Sequence, residues 1–263
     1  MNPFEHNRES WNEITPLHIK SEFYDVLGFK NGKSSLNSIE LEEIGDVKGK
    51  KLLHLQCHFG MDTLSLARLG ADVTGVDISD ESIKTARALS QELNIPAQFI
   101  RSNVYELDQV LNKQFDIIYT SYGVLNWLND LDKWAGIISR LLKPGGSFYM
   151  IEFHPFIYTL NDDLQLGENY FKSEAIESIV DASYTDNSET GKTKLKHIEW
   201  HHSLSEVINS LLKNGLQIKF LNEFPYQVYN CFKNMKEIEK GKWVFEGIED
   251  KIPYMYSIKA LKP

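Results

Sequence analysis

Asp77 ends the apolar run Ala71–Asp77 with a carboxylate. An acid at a strand tip suits the paired hydroxyls of a ribose. Ahead of it, Lys51–Gln56 reads as an apolar strand entering the tight turn Gln56-Cys57-His58-Phe59-Gly60. A turn that feeds a helix N-terminus directs backbone N–H groups at a ligand. Strand, turn, helix and second strand with a terminal acid together imply an adenosine derivative. Metal chemistry lacks comparable support. His197, His201 and His202 have no matched Cys or carboxylate partners at zinc-like spacing.

These groups need a scaffold, and the surrounding pattern describes one. Met61–Leu69 reads as a helix ended by Gly70, a favourable residue just past a helix C-terminus. Ser79 caps another helix, with Asp80 and Glu81 in its first turn and a stripe of Ile83, Ala86, Leu89 and Leu93. Ala97–Arg101 and Phe115–Thr120 read as strands. Asp130 opens a helix with Leu131, Trp134, Ile137, Ile138 and Leu141 on one face. Lys143–Gly146 reads as a turn, and Ser147–Phe153 as an apolar strand from the middle of a parallel sheet. Ser203 and Glu206 form a capping box, Gly215 ends that helix, and Leu216–Glu223 and Tyr254–Leu261 are the last strands. Such alternation gives a doubly wound, mostly parallel seven-stranded α/β sheet. Residues 224–252 read as an irregular excursion without a helical period, so the last strand is expected to be antiparallel.

At 263 residues, with 42% apolar and 25% charged residues, the chain suits one soluble domain spanning 1–263. Residues 1–46 form an N-terminal extension whose Trp11, Phe23, Tyr24 and Phe29 need a surface to pack on. A net charge of −9 argues against nucleic acid as partner. Lys192, Lys194 and Lys196 read as the solvated face of a hairpin. Only Cys57 and Cys231 are present, and no secretory leader is evident, so a cytoplasmic location is expected. No apolar run approaches the roughly 20 residues that span a bilayer, so no membrane partner is expected.

The motifs LLHLQCHFG, VTGVDIS, FDIIYTSYGVLNWL and LLKPGGSFYMIEFHP, in this order, resemble those of class I S-adenosylmethionine-dependent methyltransferases. The resemblance is tight over Lys50–Gly146 and looser beyond. It implies a Rossmann-like methyltransferase fold with S-adenosyl-L-methionine as cofactor. Carried over by position, the family's glycine-rich turn falls on Gln56, Cys57, His58 and Gly60, around the methionine part of the cofactor. The ribose-binding acid falls on Asp77, with Ile78 beside the adenine. Asn103 takes the place of the polar adenine contact, next to Val104. Thr120, Ser121 and Tyr122 fall where the family places the methyl and its acceptor. Gln56 and His58 stand where the family carries glycines, and His54 where it carries an Asp. Either the backbone avoids left-handed angles there, or the two side chains take over by bonding the cofactor's carboxylate. The second reading is preferred.

Displacement from a sulfonium needs no protonated leaving group, so alignment and desolvation carry much of the catalysis. A base serves only an acceptor that must lose a proton. Tyr122, His154 and His202 are the catalytic candidates, with Glu152 and His201 nearby. The insertion Pro155–Trp200 brings Phe156, Tyr158, Tyr170, Phe171 and Tyr184 as an expected substrate cover. Trp11 and His18–Asp25 form either a second lid, as the resemblance implies, or packing. The acidic surface and covered pocket favour a small-molecule acceptor; oligomeric state stays open. Two other readings compete: a non-catalytic adenosine-ligand module and a nicotinamide-dependent oxidoreductase. The latter lacks G-x-G-x-x-G and a visible second mononucleotide half.

Overall fold

A computed structural model describes residues 2–171, 174–180, 185 and 195–263. Lys192, Lys194 and Tyr184 lie outside the described residues. Three helices open the chain: α1 (Pro3–His18), α2 (Val26–Lys30) and α3 (Ser38–Ile44). The alternating region follows, as β1 (Lys51–Leu55), α4 (Met61–Arg68), β2 (Asp72–Asp77), α5 (Asp80–Glu92), β3 (Gln98–Arg101), α6 (Leu107–Val110), β4 (Phe115–Thr120), α7 (Leu131–Leu141) and β5 (Leu142–Phe153). The C-terminal part holds β6 (Ile176–Val180), β7 (Leu195–Glu199), α8 (Leu204–Lys213), β8 (Gln217–Phe224), β9 (Met235–Glu239), β10 (Lys242–Phe245) and β11 (Met255–Leu261).

The main sheet has seven strands in the order β3-β2-β1-β4-β5-β11-β8. β11 lies antiparallel to both β5 and β8, as the missing crossover helix requires. Successive residues of the central strands serve opposite faces. Leu53, Ile118 and Phe148 join one core with Trp134 and Leu211, while Leu52, Ile117 and Tyr149 join another with Ile39 and Leu66. Burial on both faces explains why these strands read as continuous apolar runs. The Ser203–Glu206 capping box forms, each side chain bonding the other residue's backbone N–H.

Two segments differ from the sequence reading. Lys143–Gly146 is the start of β5 rather than a free turn: Gly145 N–H donates to the Lys262 carbonyl at 2.8 Å. The pairing with β4 shifts register there, so turn-forming residues are absorbed as a bulge. Residues 224–252 are more regular than expected, because β9 and β10 make an antiparallel hairpin. That hairpin is tied to the body by a reciprocal pair of bonds between Gln227 and Trp243, at 2.8 and 2.7 Å. β6 and β7 make a second hairpin, within the insertion after β5. Among the described residues, no helix is long and apolar enough to cross a membrane.

Candidate active site

A cavity of about 600 Å³ opens at the C-terminal ends of β1, β2 and β4. Its floor is the turn between β1 and α4. Gln56 (φ 54°), His58 (φ 49°) and Gly60 (φ 81°) are all left-handed. The backbone thus keeps the conformation glycines would favour, at roughly 1–2 kcal/mol for each side-chain-bearing residue. The alternative in which the backbone avoids these angles at Gln56 and His58 does not hold. Only Gly60 is sterically fixed as glycine, since a Cβ there would fall 2.7 Å from the Phe99 ring and 2.9 Å from Ala86.

Local hydrogen bonds hold the strained turn. Cys57 N–H donates to the Val76 carbonyl at 2.9 Å, and His58 N–H donates to Asp77 Oδ2 at 2.8 Å. The His58 ring lies between His18 Nδ1 (2.9 Å) and Ser82 Oγ (3.0 Å). Gln56 Nε2 donates to the Val124 carbonyl at 2.8 Å, whereas its buried Oε1 has no partner. His58 is therefore committed to protein partners, and Gln56 presents one unsatisfied acceptor in a cavity-lining side chain.

Asp77 sits at the tip of β2 in the cavity wall, with Ile78 beside it. Its Oδ1 accepts from Ser79 N–H at 2.8 Å, so each carboxylate oxygen holds one backbone donor and keeps lone-pair capacity. Burial still outweighs those donors and pushes the carboxyl up to about 6. Asn103 and Val104 line the adjoining wall. The Asn103 amide oxygen accepts from Tyr105 N–H at 3.1 Å, so this side chain also caps the turn after β3.

The N-terminal segment covers this end. Asn12 Oδ1 accepts from Ser79 Oγ–H at 2.8 Å and from Glu81 N–H, and Arg8 pairs with Asp80. Trp11 meets the His58 and Trp127 rings edge-on, at centroid distances of 5.2 and 5.3 Å. Phe4, Asn7 and Trp11 all line the cavity.

At the other end stands Tyr122, just past β4. Asn37 Nδ2 faces its hydroxyl at 3.4 Å, the Tyr229 hydroxyl at 3.2 Å and Glu40 Oε1 at 3.3 Å. Glu40 is fully buried, and desolvation pushes it up to about 7, with Asp62 adding repulsion. Glu152 accepts from the backbone N–H groups of Gly123, Val124 (2.9 Å), Leu125 (3.2 Å) and Phe153 (2.7 Å), clamping the chain after β4. Its carboxyl is also raised to about 7, by burial.

The geometry gathers Gln56, Cys57, His58, Gly60, Asp77, Ile78, Asn103, Val104 and Tyr122 on one cavity. Thr120, His154 and His202 are not part of its lining. Thr120 is buried within β4. His154 faces Glu223 at 3.1 Å and accepts from Phe156 N–H at 3.1 Å. His202 Nε2–H donates to the Leu128 carbonyl at 2.7 Å. Asn37, Glu40, Asp62 and Glu199 are site features that sequence reasoning missed. Asp62, in the first turn of the helix after the loop, carried the one usable signal.

Comparison with known proteins converges on one family. Residues 53–150 match the family described as a methyltransferase domain. The chain is 31% identical over 147 residues to the ubiquinone biosynthesis O-methyltransferase of Photorhabdus laumondii, covering 54% of this chain and 58% of that protein. The Proteus mirabilis protein of the same name is 29% identical, with 54% and 57% covered. The chain thus spans less than two thirds of the curated relatives it matches. Among solved structures, an S-adenosylmethionine-dependent methyltransferase from Clostridium acetobutylicum superposes with a TM-score of 0.57 at 16% identity, covering 99% of both chains. Geranyl diphosphate C-methyltransferase from Streptomyces coelicolor gives 0.54 at 14% identity, covering 84% of this chain and 76% of that one. These two likenesses concern the fold. Residues 53–150 match the methyltransferase-domain family, and the seven-stranded fold built around them is shared with the solved S-adenosylmethionine-dependent methyltransferases.

Proposed function

We propose that this protein transfers the methyl group of S-adenosyl-L-methionine to a small organic acceptor. The observation that carries the reading is the juxtaposition of Asp77 and the left-handed turn at 56–60 in the wall of one cavity. The residues fit the cofactor. Asp77 has acceptor capacity for a ribose diol, Ile78 and Val104 give apolar lining for an adenine, and Gln56 Oε1 awaits a donor. Cys57, His58 and Gly60 shape the loop around the amino-acid tail, and Asn103 stands at the adenine edge. When bound, the cofactor supplies an electrophilic sulfonium methyl.

The chain's own part is binding, alignment and exclusion of water. Glu152 fixes the turn that follows Tyr122, and Tyr122 with Asn37 forms part of the cavity wall. For His154 and His202, catalytic candidates by sequence, a supporting role is proposed instead, since both lie outside the cavity lining and bond neighbouring segments. The 1–46 segment acts as a lid and residues 155–200 as a substrate cover within one domain. The free thiols Cys57 and Cys231 support a cytoplasmic setting. The curated relatives' name favours a small acceptor over a nucleic acid.

The oxidoreductase reading loses support. Beyond β5 the sheet continues with the antiparallel β11, so the second parallel half of a dinucleotide site is not built. Calorimetric titration with S-adenosylmethionine, S-adenosylhomocysteine and NAD tests the assignment: the first two bind and NAD does not. Binding of NAD alone would contradict it.

A further inference from the structure

Among the described residues, Glu199 is the carboxylate of the cavity wall that has no partner. Asp25 pairs with Lys33 at 2.8 Å, Asp62 is held by Ser35, and Asp77 accepts from backbone N–H groups. Glu199, at the end of β7, faces none of these donors. Burial alone shifts its carboxyl, up to about 6, which leaves it mostly ionised at neutral pH.

Its surroundings are aromatic. Residues 197 and 199 share a face of β7. The His197 ring meets Trp127 at 5.1 Å, and Trp127 in turn meets Trp11. Glu199 also lies close enough to Tyr158 to help burial keep that phenol protonated. Trp11, Trp127 and Tyr158 line the same cavity. Among the described residues, Lys33 is the sole lysine or arginine in its wall, and Asp25 already neutralises it. An anionic guest would therefore meet no free counter-charge among the described residues. A neutral hydroxyl would give Glu199 one hydrogen bond and leave a buried charge uncompensated. A cation satisfies both the carboxylate and the aromatic faces.

We propose that the methyl acceptor is a small organic amine, recognised as its ammonium ion between the Glu199 carboxylate and the faces of Trp127 and Tyr158. For transfer the nitrogen yields a proton to the Glu199 carboxylate, and its freed lone pair takes the methyl group as the bond to the departing S-adenosylhomocysteine breaks. The proposal rests on the methyl-transfer reading. It makes the insertion after β5 the specificity element, because β7 delivers the recognising charge.

The test uses the full chain saturated with S-adenosylhomocysteine, whose own binding is first measured by calorimetry. Tryptophan fluorescence then follows titration with benzylamine, 2-phenylethylamine and tyramine, against 2-phenylethanol and 3-phenylpropanoate as neutral and anionic counterparts. At least one amine is expected to bind tenfold or more tightly than both counterparts. Glu199→Gln should abolish that preference while keeping S-adenosylhomocysteine affinity, which shows the variant folded. Glu199→Asp should retain part of the preference. Absence of amine binding, equal binding of the alcohol, or an unchanged preference in Glu199→Gln overturns the proposal. Failure of S-adenosylhomocysteine to bind the wild type overturns the methyl-transfer reading instead.

Discussion

His58 N–H donates to Asp77 Oδ2 at 2.8 Å, so the residue that closes β2 also anchors the left-handed turn after β1. One carboxylate thereby shapes the loop and presents its remaining lone pairs to the cavity. On the proposed reading, ribose recognition and loop geometry are coupled in this arrangement.

Asp77→Ala removes both functions. Charge-assisted hydrogen bonds contribute about 1.5–3 kcal/mol each. Affinity for S-adenosylmethionine should fall at least tenfold by calorimetry, and Asp77→Asn should lose less. Unchanged affinity in Asp77→Ala would remove Asp77 from the site.

The proposed lid rests on the His18–His58 contact of 2.9 Å, and Trp11 packs on the same ring. His18→Ala should therefore loosen α1 while leaving the sheet folded. Amide exchange over residues 3–18 is expected to rise at least tenfold, with β1 and β4 protection unchanged. Equal protection of α1 in both proteins would contradict a latch at His58.

Much of this site was legible in the sequence, and the reasons are local. Asp77, Ile78 and Gly60 announced themselves because strand tips and tight turns leave short-range signatures. Gln56 and His58 line the cavity as well, whereas the sequence left the backbone angles of their turn open between two alternatives. The cost is met by bonds to Val76, Asp77, His18 and Ser82, partners that a turn motif does not name. Glu40 and Glu199 were invisible for a similar reason: each reaches the site through long-range packing of α3 or β7. The β9–β10 hairpin was hidden by the charges of MKEIEKGK, whose β9 side chains are mostly exposed.

Glu40 gives the clearest pH prediction. Its folded pKa, about 7, lies above the ordinary 4.5, so the folded state binds the extra proton between those values. Its contribution to stability is then present at low pH and lost as pH rises through 7. Buried His54, lowered to about 3, acts oppositely below pH 6.5, so the comparison must be with Glu40→Gln. From pH 5 to pH 8 the variant should gain on wild type, by up to about 3 kcal/mol in urea unfolding. A pH-independent difference would contradict a buried, proton-binding Glu40.

Glu152 holds the chain after β4 through backbone donors of Gly123, Val124 and Leu125. Glu152→Ala leaves those buried N–H groups without an acceptor. Loss of such a network costs on the order of 3–5 kcal/mol. Chemical denaturation measures the loss, and exchange at residues 123–125 should rise more than at β1. A cost below about 1 kcal/mol would show the clamp to be incidental.

The most direct measurement is a structure of the protein with S-adenosylhomocysteine bound. The account predicts the ribose hydroxyls on Asp77, the adenine between Ile78 and Val104, and the amino-acid tail against residues 56–60. A ligand seated elsewhere, with Asp77 touching only His58 and Ser79, would contradict it.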